Sequence, residues 1–126
     1  MSTIQYEELD DFFKQMKDLN KNKTVYMTVV RTKKEQSMAG AVRVMFKDED
    51  GILHQYNHSE DIQELRLINA GLFDMFLTED QSKKAKDDYM LTVKLFEESL
   101  KKESEKMKKV LLDRFGVTQI YNAYSI

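Results

Sequence analysis

The sequence predicts an α+β fold: a three-stranded antiparallel sheet with helices on one face, in the order helix–strand–strand–strand–helix, followed by a long C-terminal helix. Three observations carry this expectation. Apolar residues recur at helical spacing up to Leu19, alternate with a period of two between Thr24 and Asn57, and return to helical spacing after Ser59. Asp50-Gly51, a dipeptide favoured in tight hairpins, separates two of the alternating runs. With no proline and four glycines in 126 residues, few positions interrupt an element from inside.

The first helix is expected over residues 4–19. Ser2 or Thr3 can cap it, Glu7 and Glu8 suit its positive end, and Leu9, Phe12, Phe13, Met16 and Leu19 form its apolar stripe. Asn20 to Lys23 ends it. Thr24–Arg31 is rich in β-branched and aromatic residues and reads as a strand, with Val25, Met27 and Val29 on one face and Tyr26, Thr28 and Val30 on the other. A polar connection leads to a second strand over Ala41–Lys47, with Val42, Val44 and Phe46 inward and Arg43 and Lys47 outward. After the Asp48–Gly51 turn, Ile52–Asn57 completes an antiparallel meander.

Ser59 is placed to cap a second helix near residues 60–77, carried by Ile62, Leu65, Ile68, Leu72, Met75 and Phe76; a strand at Glu64–Ile68 is the rival assignment. Residues 80–115 read as one helix of ~54 Å, ended by Gly116. Its apolar stripe runs through Tyr89, Val93, Phe96, Leu100, Met107 and Val110, with Glu103 where an apolar residue is due. Pairs such as Glu97–Lys101 and Glu105–Lys109 add a few tenths of a kcal/mol each. Such a helix must bend back near Glu103–Glu105 or pack on another chain to cover its stripe. The tail holds Val117, Ile120, Tyr121, Tyr124 and Ile126, and is apolar enough to pack or to add an edge strand. The expected core comprises Val25, Met27, Val29, Val42, Val44, Phe46, Phe12 and Leu72. Two units follow: an α+β domain over 1–79, and the charged helix with its tail over 80–126.

There is no cysteine, hence no disulfide and no thiolate metal site. No apolar run reaches the ~18 residues of a membrane span, and the acidic N-terminus lacks a signal-peptide pattern, so a cytoplasmic location is the expectation. Enzyme signatures are nearly absent: the glycines are far apart, and two histidines and no cysteine leave little for a nucleophile and base. Neither a cofactor nor a metal is expected. His54 and His58, read as the end of a strand and its exit loop, would share one face about 13 Å apart, too far to hold one ion. They read as surface or edge histidines. Asp61 and Glu60 would assist only if the chain folded back.

Charge is divided along the chain although its net value is −2. Residues 14–47 carry nine Lys or Arg and two acids; residues 48–64 carry six acids and no Lys or Arg. Oppositely charged segments suggest two surfaces with different partners. Arg31, Lys33, Lys34, Arg43 and Lys47 are the candidate phosphate-binding cations, with Tyr26 and Thr28 nearby to stack or hydrogen-bond. Asp48 and Asp50, or the helix residues Tyr89, Val93, Phe96 and Leu100, are the candidates for docking a protein partner or a second copy of the chain.

One resemblance bears on this choice. LDDFFKQMKDLNKNKTVYMTVVRTKK, followed by HSEDIQELRLINAGLFDMF and SKKAK, resembles the Alu-domain proteins of the signal recognition particle, in which a helix leads to a strand of the form SVYITLKK. The resemblance covers residues 5–86. It implies a sheet that grips folded RNA, RNA-facing roles for Arg31, Lys33, Lys34, Arg43 and Lys47, and pairing with a second chain. This chain departs from that pattern in a shorter loop between its first two strands, a net charge that is not basic, and the long helix. The same element order also resembles small acidic phage-encoded inhibitors, including anti-CRISPR proteins. A non-catalytic RNA-binding or ribonucleoprotein-binding module is therefore the leading expectation. A protein-binding adaptor or inhibitor acting through acids 48–64 or the long helix is the alternative.

Overall fold

The computed structural model describes residues 2–123. The elements run β1 (Thr3–Tyr6), α1 (Leu9–Leu19), β2 (Thr24–Lys33), β3 (Ser37–Lys47), β4 (Leu53–His58), β5 (Leu65–Arg66), α2 (Ala70–Phe76), α3 (Glu79–Phe115) and β6 (Gln119–Asn122). The class is α+β as expected, and β2–β3–β4 is the expected antiparallel meander. The sheet is larger and mixed, however: six strands in the order β1-β4-β3-β2-β6, with β5 paired to β3 beside the end of β4. The outermost pairs, β1–β4 and β2–β6, are parallel.

The chain's first residues correct the expected helix start. Thr3–Tyr6 pairs with Leu53–Tyr56 instead of opening a helix. Ser2 and Thr3 do fit a cap pattern, but pairing along β4 satisfies backbone donors and acceptors that a helix start leaves open. α1 then begins at Leu9 and buries Phe12, Phe13 and Met16.

The expected helix over 60–77 is mostly absent. β3 is 11 residues long and outruns the six-residue β4, so its Ser37 and Met38 capture Arg66 and Leu65 as β5. The strand alternative over 64–68 is thus the one the fold adopts in part. Only α2 remains helical, capped by Asn69 Oδ1 accepting from the Gly71 amide at 3.0 Å. α2 packs on α3 beyond the sheet, which is why Leu72, expected in the core, is exposed.

α3 is continuous over 37 residues. It starts with a Thr78–Gln81 capping box (3.1 and 3.2 Å) and stops at Gly116, whose φ of 61° suits glycine. It needs no bend at Glu103–Glu105. Its C-terminal part lies across one sheet face, and its N-terminal part receives α2, tied by Ser82 Oγ donating to Asp74 at 2.7 Å. α3 packs closely over Gly40, where a Cβ would collide with Leu100 Cδ2 and stand 3.2 Å from Phe96 Cζ. β6 is the edge strand that the apolar tail suggested; Tyr124 and Ile126, expected to pack as part of that tail, lie outside the described residues.

The core lies between this face and the helices α1 and α3: Phe12, Val25, Met27, Val42, Val44, Phe46, Leu100 and Leu111 are buried, and Val29 is partly so.

Candidate functional site

Strand alternation sends the other side chains to the opposite face, over which no described helix lies. Register arranges them in rows. Gln5, Gln55, Met45, Tyr26 and Tyr121 form one row across five strands. Thr28, Arg43 and Asn57 form a second, and Thr3, Leu53 and Lys47 a third beside Thr24 and Gln119. None of the described strand residues on this face is Asp or Glu, in a chain whose acids number 22. Tyr26 and Tyr121 stand side by side with ring centroids 6.0 Å apart and planes 35° apart. Met45 is buried beneath its neighbours, and Arg43 Nε donates to Asn57 Oδ1 at 2.9 Å. Arg66 of β5 pairs with Ser37 and joins Arg43 and Lys47 on this side. The face therefore combines a ring surface, three cations and a run of amide and hydroxyl groups.

The five candidate cations divide. Arg43 and Lys47 lie on this open face. Arg31 pairs with Gly40 and so faces the other way, where Nε donates to the Glu97 carboxylate at 2.8 and 3.1 Å. That guanidinium holds the Glu97 carboxyl below its ordinary value. Lys33 shares the face of Arg31 by alternation. Lys34 lies beyond the end of β2 and pairs with Glu64, whose carboxyl is lowered by Lys34 first and by Ser37 second. Lys14 and Lys17 are on α1, and Lys21 and Lys23 follow it. The basic segment is thus not one electropositive surface. Arg31 is an odd number of residues from Thr28, the partner of Arg43, so the pleat separates the two arginines.

The candidate docking residues are corrected in the same way. Phe96 and Leu100 are buried on the sheet, and Tyr89 and Val93 pack against the core. What α3 leaves outside is Met90, Leu91, Leu95 and Leu112. Asp48 is part of the framework: Oδ1 accepts from the Asp50 and Ile52 amides at 2.9 and 3.0 Å, and Oδ2 lies 2.8 Å from His54 Nε2. The His54 hydrogen bond is the main reason its carboxyl is lowered. Asp50 is exposed.

Both histidines are buried, contrary to the surface expectation. They lie in β4 on the helix-covered face, because β4 extends through His58. His54 stacks on Phe46 at 4.5 Å with planes 2° apart. Tyr6 Oη is 2.8 Å from its Nδ1, which with Asp48 on Nε2 fits the Nε2–H tautomer. Tyr6–His54–Asp48 looks like a relay, but burial, then Asp48 and Asp11, raise the Tyr6 phenol above its ordinary value. A raised phenol stays protonated and donates; it is not an activated nucleophile. His58 makes a second buried contact, with Nε2 3.2 Å from Glu103 Oε1 and Nδ1 3.3 Å from Tyr56 Oη. The out-of-place Glu103 was the sequence signal for this centre.

No helix among the described residues is long and apolar enough to cross a membrane. Comparison with protein-family models, with curated proteins and with solved structures gives no match.

Proposed function

We propose that the protein is a non-catalytic binding module that takes single-stranded nucleic acid, RNA foremost, on the open face of its sheet. The observation that carries this reading is a face whose strand residues include no acid, with Tyr26 beside Tyr121 and with Arg43 and Lys47 in the neighbouring rows. Bases stack on aromatic rings without regard to sequence, at ~1–3 kcal/mol per base. Phosphates need cations and avoid acids. Amides and hydroxyls on the same face can take base edges or a 2′-hydroxyl. The test is fluorescence anisotropy with a labelled single-stranded RNA. Arg43→Glu should weaken binding strongly and Arg31→Glu weakly. Equal losses in both, or no binding by the unaltered protein, would overturn the reading.

A second reading rests on different residues. Met75 and Phe76 on α2 are 73% and 77% exposed, and Met90, Leu91 and Leu95 on α3 are also exposed. Large apolar side chains left outside favour docking on another protein. A pull-down divided and treated with RNase separates the two: captured protein that survives RNase and is lost in Phe76→Ser supports docking.

A further inference from the structure

We propose that His58, Asp61 and Glu103 form a binding site for a divalent metal ion, of which zinc is the best fit. The site does not rest on the nucleic-acid reading, because it lies on the helix-covered side of the sheet. The ligand atoms of these three residues lie within 4.8 Å of one another. They come from three places: the end of β4, the turn after it, and the middle of α3. The turn is closed by the Ile62 amide donating to the Ser59 carbonyl at 3.1 Å, which folds the chain back and brings Asp61 to His58.

A tetrahedral ion with bonds of about 2.0–2.1 Å holds neighbouring ligand atoms ~3.4 Å apart. His58 Nε2 and Glu103 Oε1, at 3.2 Å, already have that separation. His58 and Glu103 are both buried, so their positions are set by packing, whereas Asp61 is exposed and free to rotate its carboxylate inward. A proton shared between His58 and Glu103 explains two of the three groups. It gives no role to the Asp61 carboxylate, which lies within 4.8 Å of both. A divalent cation resolves both contacts. Lys106 Nζ, 3.8 Å from the other Glu103 oxygen, is more than half exposed and offsets little of this charge.

The surroundings fit a ligand set. Tyr56 Oη accepts from His58 Nδ1–H in the tautomer that leaves the Nε2 lone pair toward the ion, the outer-shell contact that metal-bound histidines usually have. One imidazole and two carboxylates with no thiolate suit zinc over softer ions, and zinc over manganese or iron by intrinsic affinity. Three protein ligands leave a fourth position for water. Bound there, the ion would pin the middle of α3 to the end of β4.

The test uses the full chain, freed of any histidine tag and treated with chelator. Zinc is titrated calorimetrically, and cobalt(II) is added as a spectroscopic stand-in. The expected result is a one-to-one complex, a tetrahedral cobalt absorption band and a raised Tm. Asp61→Ala, a change at an exposed residue, should weaken affinity and abolish the cobalt band. Glu60→Ala, the adjacent exposed acid outside the cluster, should change neither. The proposal is overturned if no saturable one-to-one complex forms, or if Asp61→Ala binds as tightly as Glu60→Ala.

Discussion

Tyr26 and Tyr121 stand beside each other across the parallel β2–β6 pair, one from the first half of the chain and one from its last strand. Neither faces a helix. Their rings extend a platform whose remaining strand residues include three cations, Arg43, Lys47 and Arg66, and no acid.

If bases stack there, Tyr121→Ala should weaken single-stranded RNA binding by ~1–3 kcal/mol, roughly five- to 150-fold. Tyr121 is an exposed edge residue, so the same change should move the urea midpoint little. Anisotropy and urea titrations on one preparation check both outcomes. An unchanged affinity would remove the stacking role.

Salt dependence distinguishes the open face from the whole basic segment. Three phosphate contacts, through Arg43, Lys47 and Arg66, give a slope of log K on log salt near about −2.1 for a single strand, against about −6 for the nine cations of residues 14–47. The slope is read from binding isotherms at several salt concentrations.

Phe96 and Leu95 are neighbours with opposite roles. Phe96→Ala should cost ~3–5 kcal/mol in urea unfolding, because it empties the contact between α3 and the sheet. Leu95→Ala should stay within about 0.5 kcal/mol, because Leu95 is exposed. Comparable losses would mean that α3 is not docked on its Phe96 face.

Gly40→Ala places a methyl group against Leu100 and Phe96 and should destabilise the fold by ~1–3 kcal/mol. If the variant is as stable as the parent, α3 does not approach the sheet at Gly40 as described.

The Asp48 carboxyl is lowered chiefly by its hydrogen bond to His54. A lowered folded-state value means stability that is present above the ordinary aspartate value of about 3.9 and is lost as pH falls through the lower folded value. The stability gap between the parent and Asp48→Asn should therefore be widest near neutrality and narrow on acidification through that window. Urea unfolding of both proteins across acidic pH measures it; a gap that widens toward acid would contradict the His54–Asp48 contact.

Local pattern marked much of this. The alternation in Val25–Val29 and Val42–Phe46, the Asp48–Gly51 turn and the length and stop of α3 are all decided within a few residues of one another, so the chain's order displays them. Glu103 stood out for the same reason, as a carboxylate in an apolar stripe. What it faces was not legible, since His58 and Asp61 arrive from another element.

Thr3–Tyr6 and Leu65–Arg66 show the limit. Each fits a helix locally and becomes a strand because a distant edge offers hydrogen bonds. Arg31 and Arg43 show the same limit for function: both are basic and close in sequence, yet the register of two strands places them on opposite faces. The amino-acid order by itself determined the element types with strong periodicity, the class and the cations available. The tertiary structure decided which backbone edges met, and hence which charges shared a surface, because pairing and register are properties of two segments and neither segment holds them alone.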